Sequence, residues 1–167
     1  MPFLLHHFVS TVPPSKNNTD LPVVPKSRYF VFFPLAVFGC LLDLWTKSAV
    51  FNQVGYRGDH WLVENFLGIK FGFETTINEG ALFGMGEGWT KVFAGFSVVA
   101  AVAIIYWLFV KRAANDWLLT IALGGVMAGI FGNLYDRLGL SGVVHIVSGN
   151  PGVRDWIAVQ YIAATQF

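Results

Sequence analysis

The run VFAGFSVVAAVAIIYWLFV, Val92 to Val110, constrains this chain more than any other stretch: it has no charge and is interrupted only by Ser97. A helix rising about 1.5 Å per residue over that length comes close to the roughly 30 Å hydrocarbon core of a bilayer. Two more runs of similar character flank it, Tyr29 to Phe51 and Trp117 to Leu138. Charged residues make up only 13% of the chain, and mean hydropathy is +0.56. A soluble domain carries about 25% charged residues, so the shortfall points to a surface that faces lipid. Trp89, Trp107 and Trp117 stand near the ends of the proposed helices, where indoles favour the membrane interface.

The expected fold class is therefore a mainly α-helical membrane protein with transmembrane helices at about 29–51, 91–110 and 117–138. Residues 1–28 read as a mobile cytoplasmic N-terminal tail: VPPSKNNTDLPVVPK holds four prolines and no periodicity. His6 and His7 in that tail read as solvated. The connection KRAAND joins the second and third helices. Its Lys111 and Arg112, with Lys16, Lys26 and Arg28 of the tail, favour a cytoplasmic N-terminus by basic density. Segments 52–90 and 139–167 are then extracytoplasmic. LVENFLGIKFGFETTINEGALFG mixes β-branched and aromatic residues with repeated glycines, which predicts a small sheet. GVVHIVSGNPGVRDWI repeats that pattern, so the two segments are expected to pair.

The net charge of +1 gives no electrostatic case for nucleic acid. The single cysteine, Cys40, excludes an internal disulfide and lies in an apolar run as small hydrophobic filler. No GxSxG, HExxH, CxxC or P-loop is present. His60 and His145 read as isolated, and no metal or organic cofactor is implied.

The polar residues that remain concentrate at one membrane edge. In the third helix Gly125, Gly129, Gly132 and Asp136 share a face, and Asn133 and Arg137 adjoin it four residues apart. Small residues permit close helix approach, so this polar trio ends a tight seam. It reads either as an ordinary helix end or as a polar pocket; ionisable groups at membrane depth default to function. Asp43 and Lys47, four apart, read as a helix ion pair or as part of that pocket. Asn78 reads as a turn cap or a site residue. Asp155 reads as half of a surface ion pair with Arg154 or as a member of that polar cluster. An aspartyl mechanism, two carboxylates sharing a proton to activate water against an amide, suits a site where lipid-anchored substrates arrive.

Four blocks in order, DLWTK, NEGALFG, GGVMAGIFGNLYDRL and VRDWI, resemble those of the lipoprotein signal peptidases (signal peptidase II) over roughly Tyr29 to Gln166. The resemblance implies a four-helix aspartic endopeptidase of the bacterial inner membrane, with its active site at the extracytoplasmic face. Such an enzyme cuts diacylglyceryl-modified prolipoproteins just before the lipidated cysteine. It implies that Asp155 is one member of the catalytic pair and that Asn78, Asn133 and Arg137 bind substrate. Asp43, Lys47, Gly129 and Asp136 take supporting roles. The implied partners are lipid-modified prolipoproteins and membrane lipid, with no nucleic acid, around a monomer. The family's final F-N-x-A-D block, with the second catalytic Asp and a fourth helix, does not occur among the 167 residues. Residues 29–167 are thus expected to form a C-terminally incomplete peptidase domain, inactive by itself. Trp156 stands where the family has Phe, and HIVSGNPGVR is a longer approach than its compact turn. Two other readings compete: an inactive membrane protein that binds lipoproteins or acts as a scaffold, and a transporter component. The second fits poorly, because the polar groups lie at one edge and not at the midplane.

Overall fold

The computed structural model describes residues 22–80 and 86–161. The His6–His7 pair, most of the proposed tail, and Ala81 to Gly84 of the NEGALFG block lie outside the described residues.

Three helices are long and apolar enough to cross a membrane: α1 (Lys26–Val54), α2 (Thr90–Ile105) with its continuation to Val110, and α3 (Trp117–Arg137). Helix α1 starts three residues before Tyr29, immediately after Pro25, whose carbonyl accepts from the Arg28 N–H. It stops at Gly55, which adopts a left-handed φ of 83° that a residue with a Cβ avoids. Helix α2 widens into a π-helical turn over Tyr106–Val110, and a single 3-10 turn, Ala113–Asn115, reverses the chain. Asp116 then caps α3, its carboxylate accepting from the Leu119 N–H at 3.0 Å.

Helices α1 and α3 run parallel and α2 antiparallel to both. At one end Arg28 donates to the Ala114 carbonyl at 3.1 Å and lies 4.1 Å from the Trp117 ring centroid. Asn115 reaches back to the Pro22 carbonyl at 2.8 Å. The basic residues of the helix α2–α3 connection and the start of α1 therefore share one end of the bundle. Phe32, Ala36, Ala101, Leu108, Ala114 and Met127 form the buried core. Phe38, Trp45, Phe96, Val99 and Leu118 point outward and are at least 61% exposed, the inverse of a soluble helix bundle.

The seam between α1 and α3 is built from small residues, though one ridge over from the expected glycine face. A Cβ on Gly124 would lie 2.9 Å from Leu35, one on Gly39 2.7 Å from Ala128, and one on Gly132 2.0 Å from the Asp43 carboxylate. Gly125 and Gly129 meet nothing within 4 Å. The contact follows the i, i+4, i+8 row Gly124–Ala128–Gly132, which ends at Asp136, and not the i, i+4, i+7 row. Accordingly, Gly132→Ala is expected to destabilise the bundle by about 1–3 kcal/mol by overpacking. Gly129→Ala has open space and gains about 1 kcal/mol of helix propensity, so it is expected to be neutral or stabilising. Thermal unfolding of the two variants in detergent checks the contrast.

The sheet is three-stranded and antiparallel in the order β1 (Asp59–Phe66), β2 (Ile69–Asn78), β3 (Val153–Tyr161). The two segments between and after the helices do pair, with Thr76 opposite Asp155 and Asn78 opposite Val153. A bulge lies between Phe73 and Thr76. There the buried Thr75 hydroxyl accepts from the Gly58 N–H at 3.1 Å and donates to the Gly55 carbonyl, tying β2 to the end of α1. That tie, and the last turn of α3, set the sheet against the polar end of the bundle.

Candidate active site

Asp136 is the fixed point of this end. Its carboxylate is fully buried and is held from three sides. Arg154 donates from Nε at 2.9 Å and from its backbone N–H at 3.3 Å, and the Lys47 ammonium lies 3.3 Å away. Lys47 in turn contacts the Asp43 carboxylate at 2.7 Å and donates to Asn133 Oδ1 at 3.0 Å. Arg154 completes its fork on the Ser48 hydroxyl at 2.9 Å. Two carboxylates and two cations thus alternate across α1, α3 and β3. Burying each charge beside an opposite one is what makes the burial affordable.

Arg154 does not pair with its chain neighbour Asp155. Successive side chains of a strand leave on opposite faces. Arg154 therefore turns inward to Asp136 while Asp155 turns toward the cavity, which corrects the surface-pair reading of these two residues. The Asn78 amide donates to Asp155 Oδ2 at 3.1 Å across the β2–β3 ladder. The Asn78 side-chain carbonyl accepts from the Gly80 N–H at 2.9 Å, so the amide orientation is set. Arg137 donates to the Gly80 carbonyl at 3.1 Å and lies 5.8 Å from the Phe93 ring centroid. Its Nε is buried with no partner among the described residues.

These groups border one cavity of about 1070 Å³, lined among others by Asp43, Lys47, Asn78, Asn133, Arg137 and Asp155. Seven of the eight residues singled out from the sequence therefore meet at this end of the fold; Gly129 stands one turn below, away from the packed seam. Burial pushes the Asp155 carboxyl above its ordinary value. The Asn78 amide, Lys47 and Arg137 oppose that push, while Asp136 adds to it. The result is a half-buried carboxyl, open to the cavity, that resists ionisation.

Sequence reasoning missed Arg154 and Ser48, because nothing in their spacing connects them to Asp136. It also read His145 as isolated. Instead His145 Nδ1 lies 3.0 Å from Glu79, which is 3% exposed. Their separation along the chain hid the contact.

A family model described as signal peptidase (SPase) II matches residues 35–166. The chain belongs to the signal peptidase II family. It is 48% identical over 151 residues to a lipoprotein signal peptidase of Rhodopirellula baltica, covering 88% of this chain and 66% of that one. A lipoprotein signal peptidase of Streptomyces coelicolor is 32% identical over 142 residues, covering 85% and 62%. The chain thus spans just under two thirds of the length of these curated relatives. A solved bacterial membrane enzyme, 21% identical, shares the fold with a TM-score of 0.60 over 83% of this chain and 73% of its own. The chain is accordingly a multi-pass membrane protein, and the polar contacts among Asp43, Lys47, Asn78, Asn133, Asp136, Arg137, Arg154 and Asp155 lie at the end of its bundle opposite Arg28 and Asn115.

Proposed function

We propose that this chain belongs to a membrane-embedded aspartic endopeptidase. It would remove signal peptides from diacylglyceryl-modified prolipoproteins by cutting before the lipidated cysteine. The observation that carries this reading is Asp155: a carboxyl raised by burial, oriented by Asn78, and facing a cavity rimmed by Lys47, Asn133 and Arg137. Curated relatives with 48% and 32% identity bear the name lipoprotein signal peptidase.

The chemistry needs one proton shared between two carboxyls. The ionised member takes a proton from water as its oxygen bonds to the scissile carbonyl carbon. The protonated member gives its proton to the carbonyl oxygen, leaving a tetrahedral diol. Transfer of a proton to the amide nitrogen then lets the C–N bond break. Asp155 suits the proton-holding member, since burial favours its neutral form. Asn78 orients it, while Asn133 and Arg137 are placed to receive backbone carbonyls of the extended substrate. Asp43, Lys47 and Asp136 hold the floor on which Asn133 and Arg137 stand, and Gly129 supports the helix below. The partner carboxylate belongs to the F-N-x-A-D block, which does not occur among these 167 residues. A polypeptide confined to them is expected to hold substrate without turnover.

In this reading residues 1–28 are a cytoplasmic tail and residues 29–167 the peptidase domain of a monomer in the inner membrane. The end bearing Arg28, Lys111 and Arg112 faces the cytoplasm, because basic residues stay on that side. Asp155 then works at the extracytoplasmic surface, where a diacylglyceryl anchor holds the substrate. The test is the rate on lipidated precursor against the same precursor with its cysteine replaced by serine. At least a hundredfold preference, about 2.7 kcal/mol, is expected for a site that uses the anchor in binding. Equal rates would defeat the substrate assignment.

The pH profile follows from the direction of the Asp155 shift. If Asp155 holds the shared proton, activity is lost as pH rises through its folded pKa, which lies above the ordinary carboxylate value of about 3.9. The Asn78 amide stabilises the charged form. Asn78→Ala is therefore expected to move the alkaline limb of kcat/KM to higher pH, as well as lowering its maximum.

A further inference from the structure

Glu79 lies between two residues of the site, yet neither its family block nor the mechanism above uses its side chain. We propose that Glu79 is a positioning residue: its buried carboxylate fastens the loop Gly139–Gly152 onto the end of β2 as a wall of the substrate cavity. Three donors converge on it, all from the turn His145–Asn150. The Ser148 hydroxyl and His145 Nδ1, the latter at 3.0 Å, meet Oε1, and the Asn150 amide meets Oε2 at 3.1 Å. The turn is itself closed by His145 N–H to the Asn150 carbonyl and Gly149 N–H to the His145 carbonyl, both at 2.8 Å. Gly149 takes a left-handed φ of 71°, which lets the turn fold back on the carboxylate.

The backbone of Glu79 is anchored independently. Its carbonyl accepts from the Thr90 hydroxyl at 3.0 Å at the start of α2. Asn78 before it holds Asp155, and the Gly80 carbonyl after it holds Arg137. The loop has few other ties outside itself among the described residues; the Ile146 N–H to the Tyr56 hydroxyl at 3.1 Å is one. His145 lines the large cavity, while Asn150 and Pro151 line a second one of about 660 Å³ that shares Arg137. Releasing Glu79 would therefore loosen one wall of each cavity. The Ser148 hydroxyl, with help from Asn150 and His145, holds the Glu79 carboxyl below its ordinary value against the opposing effect of burial. This is the direction expected of a carboxylate stabilised by the donors it gathers. The Glu87 carboxylate also approaches, its oxygen within 4.8 Å of the Glu79 and His145 ligand atoms. Both Glu79 oxygens are already engaged by the loop, which favours a hydrogen-bonded clamp over a chelate.

The fastening stands on this geometry; its effect on substrate rests on the peptidase reading. The experiment is hydrogen–deuterium exchange of the full chain in lipid nanodiscs, followed over residues 143–152, for Glu79→Gln and for the Ser148→Ala, Asn150→Ala pair. Both changes are expected to speed exchange there by about tenfold or more, by opening one local unit. The combination is expected to go no further than Glu79→Gln alone, because the three groups act as one unit. Ser148 and Asn150 lie on an exposed turn, so their loss leaves the helices folded. In a form carrying the partner carboxylate, Glu79→Gln is expected to raise KM on lipidated precursor more than it lowers kcat. Unchanged exchange in Glu79→Gln, or additive effects, would overturn the clamp. So would loss of protection in the unmodified protein on adding EDTA, which would make the fastening a metal chelate. If exchange responds as expected and a form carrying the partner carboxylate cleaves no precursor, the clamp stands and the peptidase reading falls.

Discussion

Asp155→Asn is expected to lower kcat on lipidated precursor by about 10³-fold, since a general acid–base group alone contributes roughly 10²–10⁴. The amide has the same shape but can neither give nor take the proton that the reaction moves. The enzyme used must carry the partner carboxylate. Affinity for the precursor is expected to stay within about threefold, because Asp155 moves its proton in the transition state while ground-state binding is assigned to Asn133 and Arg137. Stability provides the control. A folded pKa raised by burial means that the carboxyl's contribution is fully present below the unfolded pKa and is lost as pH rises through the folded one. An uncharged Asn does not incur that loss at any pH. Asp155→Asn is thus expected to be at least as stable as the native protein at neutral pH while failing to cut. Retained turnover, measured by gel shift of the precursor, would remove Asp155 from the reaction.

Asp136→Ala is expected to act in the opposite sense. It removes the one carboxylate that both Arg154 and Lys47 touch, and those residues are 4% and 3% exposed. Lys47 keeps Asp43, but leaving the buried Arg154 without its counter-charge costs about 3–5 kcal/mol, enough to unfold much of a marginal protein. Asp136→Asn keeps an oxygen for Arg154 Nε but loses the charge, so it should fall between. The order of midpoints in detergent, Asp136→Ala below Asp136→Asn below native, checks this. An Asp136→Ala protein as stable as the native one would show that the four charges are not a structural unit.

The contrast between these two aspartates shows what could be read from the chain alone. The three spans were legible because lipid imposes a length and a composition on any helix that crosses it. The β2–β3 pairing was legible as two short, glycine-bounded aromatic segments on the same side of the helices. The gathering of Asp43, Lys47, Asn78, Asn133, Arg137, Asp136 and Asp155 at one end followed from where the spans stop. What stayed hidden depends on choices made only at closure. Arg154 prefers Asp136 to its neighbour Asp155 because strand alternation sends the two side chains to opposite faces. The tight seam uses Gly124 and Gly132, not Gly125 and Gly129, because ridge packing selects one of two adjacent rows with equal claims in sequence. Ser148 and Glu79 are 69 residues apart, and no local pattern connects them.

The most direct measurement is mass spectrometry of the products when the enzyme carrying the partner carboxylate, in lipid nanodiscs, meets a diacylglyceryl-modified precursor. The account predicts one cut, leaving the lipidated cysteine as the new N-terminus, and no product from Asp155→Asn under the same conditions. Cleavage at another bond, or the same cut made equally well without Asp155, would contradict it.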